Sequence, residues 1–277
     1  MKNKIQHLLT LLDSISPDIV IGTETWRKSD INSCEIFPNS YQIVRKDRAD
    51  GYGGVLLAVK NDIDFCEIET ADTESVFIKT KLENNNMVII GSIYRPPSSD
   101  IKYTENMCKQ IEGIVNSNKS AAILIGGDLN LPDVDWNSNS INGNQYLKAI
   151  NQCTIDMVNE CHLKQIVNEP TRGDNILDVF MTNRPSLVNK CATIPGVGDH
   201  DAVHIQTDTR AKRFKPRRRK IILWNKTDTN SLKNAASEIN DKFLRKFNTQ
   251  NPIHSMWKFV KSSMEDLMSN HVPSKEK

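Results

Sequence analysis

Ala121-Ala-Ile-Leu-Ile-Gly-Gly-Asp-Leu-Asn130 is an unbroken apolar run that ends in two glycines, an acid, a leucine and an amide. A run of this length bounded by turn-forming residues reads as a strand. Residues two apart on an extended chain point to the same side, so Asp128 and Asn130 are presented together where the strand gives way to a loop. Taken alone, the motif also suits a simple Asp-x-Asn turn. Two other stretches repeat the arrangement. Asp18-Ile-Val-Ile-Gly-Thr-Glu24 ends in a carboxylate, and Pro195-Gly-Val-Gly-Asp-His-Asp-Ala-Val203 carries Asp199 and His200 just before an apolar segment. Three such stretches can deliver acids, an amide and an imidazole to one end of a sheet, which is the chemistry of metal-assisted phosphoester hydrolysis.

Further polar groups sit at strand ends or inside strands. Asp178 lies in Ile176-Leu-Asp-Val-Phe180, and a carboxylate in so apolar a run needs a donor or an imidazole as partner. Tyr94-Arg95-Pro96-Pro97 closes another strand and offers a phenol and a guanidinium to a phosphate, although a packed aromatic beside a surface arginine reads equally well. Asp50-Gly-Tyr-Gly-Gly54 lacks the Lys-Ser/Thr of a P-loop and reads as a hairpin turn. No Gly-x-Ser-x-Gly, His-Glu-x-x-His or Gly-x-Gly-x-x-Gly signature occurs, which excludes the usual serine hydrolase, zincin and dinucleotide-binding readings.

Around these motifs, Ile5, Leu8, Leu9, Leu11 and Leu12 form an amphipathic helical stripe that Ser16-Pro17 ends. Short β-branched runs at 41–44, 55–59, 75–82 and 87–94 read as an antiparallel meander. Residues 101–118 and 144–163 read as helices, and 121–125, 175–181 and 202–206 as further strands. Two helices among many strands, without strict βαβ repetition, predict an α/β sandwich of two packed sheets with helices outside.

The 277 residues carry a formal charge of +2 that conceals an asymmetry. Residues 1–209 hold 19 Lys/Arg against 28 Asp/Glu, a net of −9, whereas 210–277 hold 17 against 6, a net of +11. An acidic body suits a carboxylate-built cation site, and a basic tail suits a polyanion. The boundary is placed at Thr209, ahead of Lys212-Arg-Phe-Lys-Pro-Arg-Arg-Arg-Lys220 and a helix-rich tail. The six scattered cysteines form no Cys-x-x-Cys pair and read as free thiols in the nucleus or cytoplasm. Neither a signal peptide nor a membrane-spanning run is read, so a secreted or membrane protein is not expected.

The order Thr-Glu24-Thr-Trp, Tyr94-Arg-Pro-Pro, Gly-Asp128-Leu-Asn130, Leu-Asp178-Val-Phe-x-Thr-Asn and Asp199-His200-Asp-Ala-Val resembles the endonuclease/exonuclease/phosphatase (DNase I-like) superfamily. It is most similar to the apurinic-type endonuclease domain of non-LTR (LINE-type) retrotransposons. The resemblance covers residues 3–209 and implies a four-layer α/β sandwich, two mostly antiparallel sheets flanked by helices. Residues 210–277 resemble the segment that leads to a reverse transcriptase domain. Relatives begin with a strand carrying an Asn ahead of the first helix. This chain is expected to lack that strand, Asn3 lying too late in the pattern, and it has Gly198 where many relatives have serine.

Carried over by position, the resemblance implies Glu24 and Asp199 at a divalent metal, with Mg2+ expected and Mn2+ as the alternative. It implies Asp128 at the attacking water, Asn130 and Tyr94 at the phosphate, and His200 as the phosphate-contacting or general-base imidazole oriented by Asp178. Arg95, Arg217, Arg218 and Arg219 are the expected phosphate-binding cations. The implied activity is nicking of double-stranded DNA to leave a 3′-hydroxyl that primes reverse transcription. The alternatives are an inositol or lipid phosphoesterase within the same superfamily, and an inactive relic that binds nucleic acid through its tail.

Overall fold

The computed structural model describes residues 5–26, 37–70, 73–213, 220–248 and 251–276. Arg217, Arg218 and Arg219 lie outside these residues, as do Asn3 and Cys34. The chain divides into two compact units, Met1–Phe214 and Lys215–Lys277. The first continues past Thr209 because Ala211 and Arg213 form β-bridges with Leu82 and Ile63, and the Arg213 guanidinium pairs with Asp18 at 2.6 Å and Asp62 at 2.8 Å.

The first unit opens with helix α1 (Ile5–Ile15) and strands β1 (Ile19–Thr23), β2 (Tyr41–Lys46), β3 (Val55–Lys60), β4 (Phe65–Ile68), β5 (Ser75–Lys81) and β6 (Met87–Tyr94). There follow α2 (Ile101–Ser117), β7 (Ala122–Asp128), the two-residue strands β8 (Val134–Asp135) and β9 (Ser140–Ile141), and α3 (Lys148–Glu160). The unit ends with β10 (Lys164–Gln165), β11 (Asp178–Thr182), β12 (Val188–Ile194) and β13 (Ala202–Thr207). One main sheet has the order β1-β3-β2, the other β10-β11-β7-β6-β5-β4, and β12 pairs with β13 in a separate ladder.

The sandwich expected from the sequence is the architecture observed. The expected 41–94 meander is divided, however, with β2 and β3 in one sheet and β4 to β6 in the other. The pairing of β6 with β7 is parallel, and α2 supplies the crossover that parallel neighbours require.

Side-chain alternation in the central strands sets the layers. Val88, Ile90 and Tyr94 of β6, with Ala122 and Leu124 of β7, meet Leu57 and Val59 of β3 between the sheets. Their neighbours Ile89, Ile93, Ile123 and Ile125 point the other way, onto Met107, Ile111, Ile155 and Val158 of α2 and α3. Strands covered on both faces must be apolar throughout, which is why β6 and β7 show no hydrophobic-polar alternation. On the far side of the small sheet, Leu8 and Leu12 of α1 cover Leu56 and Ala58 of β3. Asp100 caps α2 by accepting from the Tyr103 backbone N–H at 2.8 Å.

The second unit holds α4 (Thr229–Lys246) and α5 (Ile253–His271), joined around Phe243, Phe247 and Phe259, and the strand pair β14 (Lys220–Ile222) and β15 (Ser274–Glu276). Among the described residues no helix is long and apolar enough to cross a membrane, and the described cysteines are free thiols.

Gly127 shows how tightly β7 and β6 approach. Its φ is 151°, and a Cβ there would lie 1.8 Å from the Ile93 carbonyl oxygen. That atom is backbone and cannot move aside. Gly127→Ala is therefore expected to destabilise the protein by roughly 2 kcal/mol or more, seen as a lower thermal-unfolding midpoint. Gly113→Ala in α2, where an added Cβ meets nothing within 4 Å, is the control and should leave the midpoint unchanged or slightly raised.

Candidate active site

Strand register assembles the site. Tyr94 of β6 pairs with Asp128 of β7, and Asp128 pairs with Asp178 of β11. Cross-strand partners point to one face, so a phenol and two carboxylates stand in a row where β6 and β7 end and β11 begins. Asp128 is 2% exposed. Its carboxylate accepts the Asn130 backbone N–H at 2.9 Å and the Asn130 side-chain amide at 2.9 Å. That amide also donates to the Arg95 carbonyl at 3.1 Å, so Asn130 locks the Asp128 rotamer. Asn130 has φ 49°, a left-handed conformation that asparagine tolerates better than most residues.

His200 enters from the loop before β13, and its Nδ1 lies 2.7 Å from Asp178 Oδ2. This is the partner that an acid in an apolar strand called for. Thr171 supports the contact without having stood out in the sequence. Its hydroxyl oxygen accepts the Leu177 and Asp178 N–H groups, both at 3.1 Å, and its carbonyl accepts the Asp201 N–H at 2.7 Å. One buried threonine thus ties the start of β11 to the loop that carries His200. Its signal in the sequence, a threonine in a polar loop, is too common to have found it.

Glu24 follows β1 with φ 47° and accepts the Tyr94 hydroxyl at 2.7 Å. Behind this pair lies Glu74, a second residue the sequence did not single out. Its carboxylate accepts the Gly54 N–H at 2.6 Å and pairs with Arg48 at 3.3 Å.

Two expected residues stand elsewhere. Arg95 does not reach the surface: it is 0% exposed, with Nε donating to Thr104 at 3.1 Å, Nη2 to the Ser99 carbonyl at 3.0 Å, and its guanidinium 4.9 Å from the Tyr146 ring centre. Adjacent residues leave a strand on opposite faces. With Tyr94 turned between the sheets, Arg95 is turned beneath α2. Asp199 is ion-paired with Arg172 at 2.7 Å, and its side chain is 72% exposed. It is not gathered with Asp128, Asp178 and His200.

Among the described residues, Asp128, Asp178 and His200 form a group whose ligand atoms all lie within 4.8 Å of one another. Burial, and then the negative charge of Asp178, push the Asp128 carboxyl up to about 7. The hydrogen bond to Asp178 raises His200 above its ordinary value, against the opposing effect of burial. Burial and the neighbouring Glu24 hold the Tyr94 phenol far above the usual range, so it remains a donor. Crowded carboxylates of this kind fit a divalent cation, whose charge would relieve their repulsion, and hard oxygen donors suit Mg2+ or Mn2+.

The two principal sheets and their flanking helices define an α/β sandwich. Residues 88–204 match the family model described as "Endonuclease-reverse transcriptase" (Exo_endo_phos_2). Among solved structures, the chain is similar to the endonuclease domain of TRAS1, a telomere-specific non-LTR retrotransposon, with 15% identity over 74% of this chain and 91% of that one and a TM-score of 0.56. It is similar also to the Xenopus laevis APE2 catalytic domain, at 14% identity over 77% and 91% with a TM-score of 0.58. An AP endonuclease from Archaeoglobus fulgidus matches at 15% identity over 74% and 94%, with a TM-score of 0.53. No curated protein matches the chain in sequence. The chain thus shares the fold of these endonuclease structures, and within it residues 88–204 carry the sequence pattern of the endonuclease-reverse transcriptase family model.

The two raised pKa values fix the sign of a pH dependence. An Asp128 that titrates near 4 when unfolded and at about 7 when folded binds its proton more tightly in the native state, so stability falls as pH rises across that interval. The His200 contribution is fully present below about 6.5 and is lost as pH rises through its higher folded value. In cation-free protein held in a chelator, the calorimetric unfolding midpoint of Asp128→Asn should therefore gain on the wild type between pH 5 and pH 8. A constant difference over that range would contradict the assignment.

Proposed function

We propose that this chain is a divalent-metal-dependent DNA endonuclease that hydrolyses a phosphodiester of one strand of a duplex and leaves a 3′-hydroxyl. The observation that carries the reading is the convergence of Asp128, Asp178 and His200 within 4.8 Å, beside the hydrogen-bonded Tyr94 and Glu24. Glu24 and the carboxylates of Asp128 and Asp178 are the groups that would hold the cation, Mg2+ by preference and Mn2+ as substitute. When bound, the cation supplies positive charge to the phosphate and the leaving oxygen.

The remaining chemistry belongs to the chain's own residues. Asp128, buried at the end of β7 and held in one rotamer by Asn130, is placed to accept a proton from the attacking water. Asn130 keeps the Asp128 oxygens in place through its two contacts with them. His200, raised by Asp178, is matched to donate a hydrogen bond to a phosphate oxygen in its protonated form, and Asp178 fixes the ring through Nδ1. The Tyr94 phenol donates to Glu24 and so orients that carboxylate. Arg172 pairs with the exposed Asp199, the residue before His200, and is assigned as a further phosphate-binding cation.

The retrotransposon endonuclease among the similar structures supports double-stranded DNA as substrate. In the same reading, the new 3′-hydroxyl primes a reverse transcriptase domain of the same polyprotein, in the nucleus. The basic stretch Lys212–Lys220 is assigned to duplex phosphates, with the salt dependence that counterion release imposes.

A supercoiled-plasmid assay tests the reading. Nicking to the open circle should require Mg2+ or Mn2+, stop in chelator, and fall by about 100-fold or more in Asp128→Asn and His200→Ala, the scale of a lost acid-base group. Equal nicking by wild type and both variants would remove the catalytic assignment. Salt-sensitive DNA binding without turnover at any metal concentration would leave a nucleic-acid-binding protein instead.

A further inference from the structure

Trp26 and Tyr52 are among the most exposed large apolar side chains of the first unit, at 54% and 62%. They come from separate loops, one after β1 and one between β2 and β3, yet their ring centres are 5.4 Å apart and their planes meet at 73°. An edge-to-face pair covers one face of only one ring, so flat aromatic surface stays open to solvent. The core gains nothing from this arrangement.

The chain nevertheless builds it firmly. The Trp26 N–H donates to the Gly53 carbonyl at 2.9 Å and the Thr25 N–H to the Gly54 carbonyl at 3.3 Å, which joins the two loops. The loop that bears Tyr52 is held from within, because Asp50 accepts the Tyr52 N–H at 3.0 Å and Arg48 at 2.5 Å. It is held from below through the bond of Gly54 to Glu74. Trp26 has φ 51°, a left-handed conformation that a bulky side chain rarely adopts. Gly53 and Gly54, at φ 81° and 84°, allow the loop to turn this closely.

The pair also stands next to the reacting centre. Trp26 is two residues from Glu24, and a Cβ on Gly53 would lie 3.3 Å from the Tyr94 ring and 2.6 Å from a Glu74 oxygen. We propose that Trp26 and Tyr52 form a stacking platform for an unstacked nucleobase of the DNA strand whose phosphate is cleaved. Nucleobases are the flat, π-faced groups that lie within reach of a backbone phosphate, and aromatic side chains bind them without regard to sequence. A base held there fixes the register of the adjoining phosphate against Asp128 and His200, so the pair acts on positioning and affinity rather than on the bond-breaking step.

The substrate class rests on the endonuclease reading, and two measurements keep the two ideas separable. In plasmid nicking, Trp26→Ala and Tyr52→Ala should each lose about tenfold in kcat/KM, mainly through KM, the scale of one base-aromatic contact. Trp26→Phe and Tyr52→Phe should recover most of the loss, which a folding defect common to all substitutions would not allow. The second measurement needs no turnover. The His200→Ala chain should quench the fluorescence of 2-aminopurine placed at a one-base bulge in a duplex, and the quench should vanish when Trp26→Ala is added. Absent nicking with a Trp26-dependent quench would overturn the endonuclease reading and leave the platform standing. Normal nicking and unchanged quench in both alanine variants would overturn the platform and leave the endonuclease reading intact.

Discussion

The pairing of Asp128 with both Tyr94 and Asp178 across three hydrogen-bonded strands is the constraint on which the rest of the site depends. It forces two carboxylates to share one end of a sheet where water is scarce. Burial and mutual repulsion would make that costly unless each acid had its own partner. Asn130 serves Asp128 and His200 serves Asp178. Burial, and then that repulsion, lift the Asp128 carboxyl to about 7, so what burdens the fold is also what brings this acid into the neutral pH range. Stability and chemistry are opposite readings of one interaction.

That register depends in turn on the close approach of β6 and β7. Apolar side chains on both faces anchor the two strands between α2 and α3 on one side and the small sheet on the other. Gly127 lets the backbones come near enough at the end for Tyr94 and Asp128 to stand side by side. The loops that complete the site are then fixed by single polar residues placed behind it. Thr171 joins the start of β11 to the His200 loop, and Glu74 anchors the turn beside Tyr94. Arg95 occupies the same kind of place under α2.

The readings that succeeded in the sequence share a physical basis. Asp128, Asn130 and Asp178 were legible because a charged or amide group at the end of an apolar strand has few ways to be satisfied, and Asp178 in particular required an imidazole or a donor. The two-sheet sandwich followed from short β-branched runs separated by turns. The division of the 41–94 strands between two sheets was not legible, since strand pairing depends on contacts far apart in sequence. The strand Val188–Ile194 escaped for a local reason: Val-Asn-Lys-Cys-Ala-Thr-Ile lacks the alternation that marks a half-buried strand. Thr171 and Glu74 escaped because their roles lie wholly in hydrogen bonds to distant backbone.

The sequence by itself determined which chemical groups the site contains and that strands end at most of them, because apolar patterning and the cost of burying acids are local properties of the chain. Only the tertiary structure decided which groups meet. Cross-strand register set Tyr94, Asp128 and Asp178 in one row, and strand alternation sent Arg95 into the core instead of toward a phosphate. An ion pair with Arg172 engaged Asp199 outside the cluster, and two unrelated loops brought Trp26 and Tyr52 edge to face beside the site. Register and side-chain direction are set by packing between residues remote in the chain, and no local pattern carries that information.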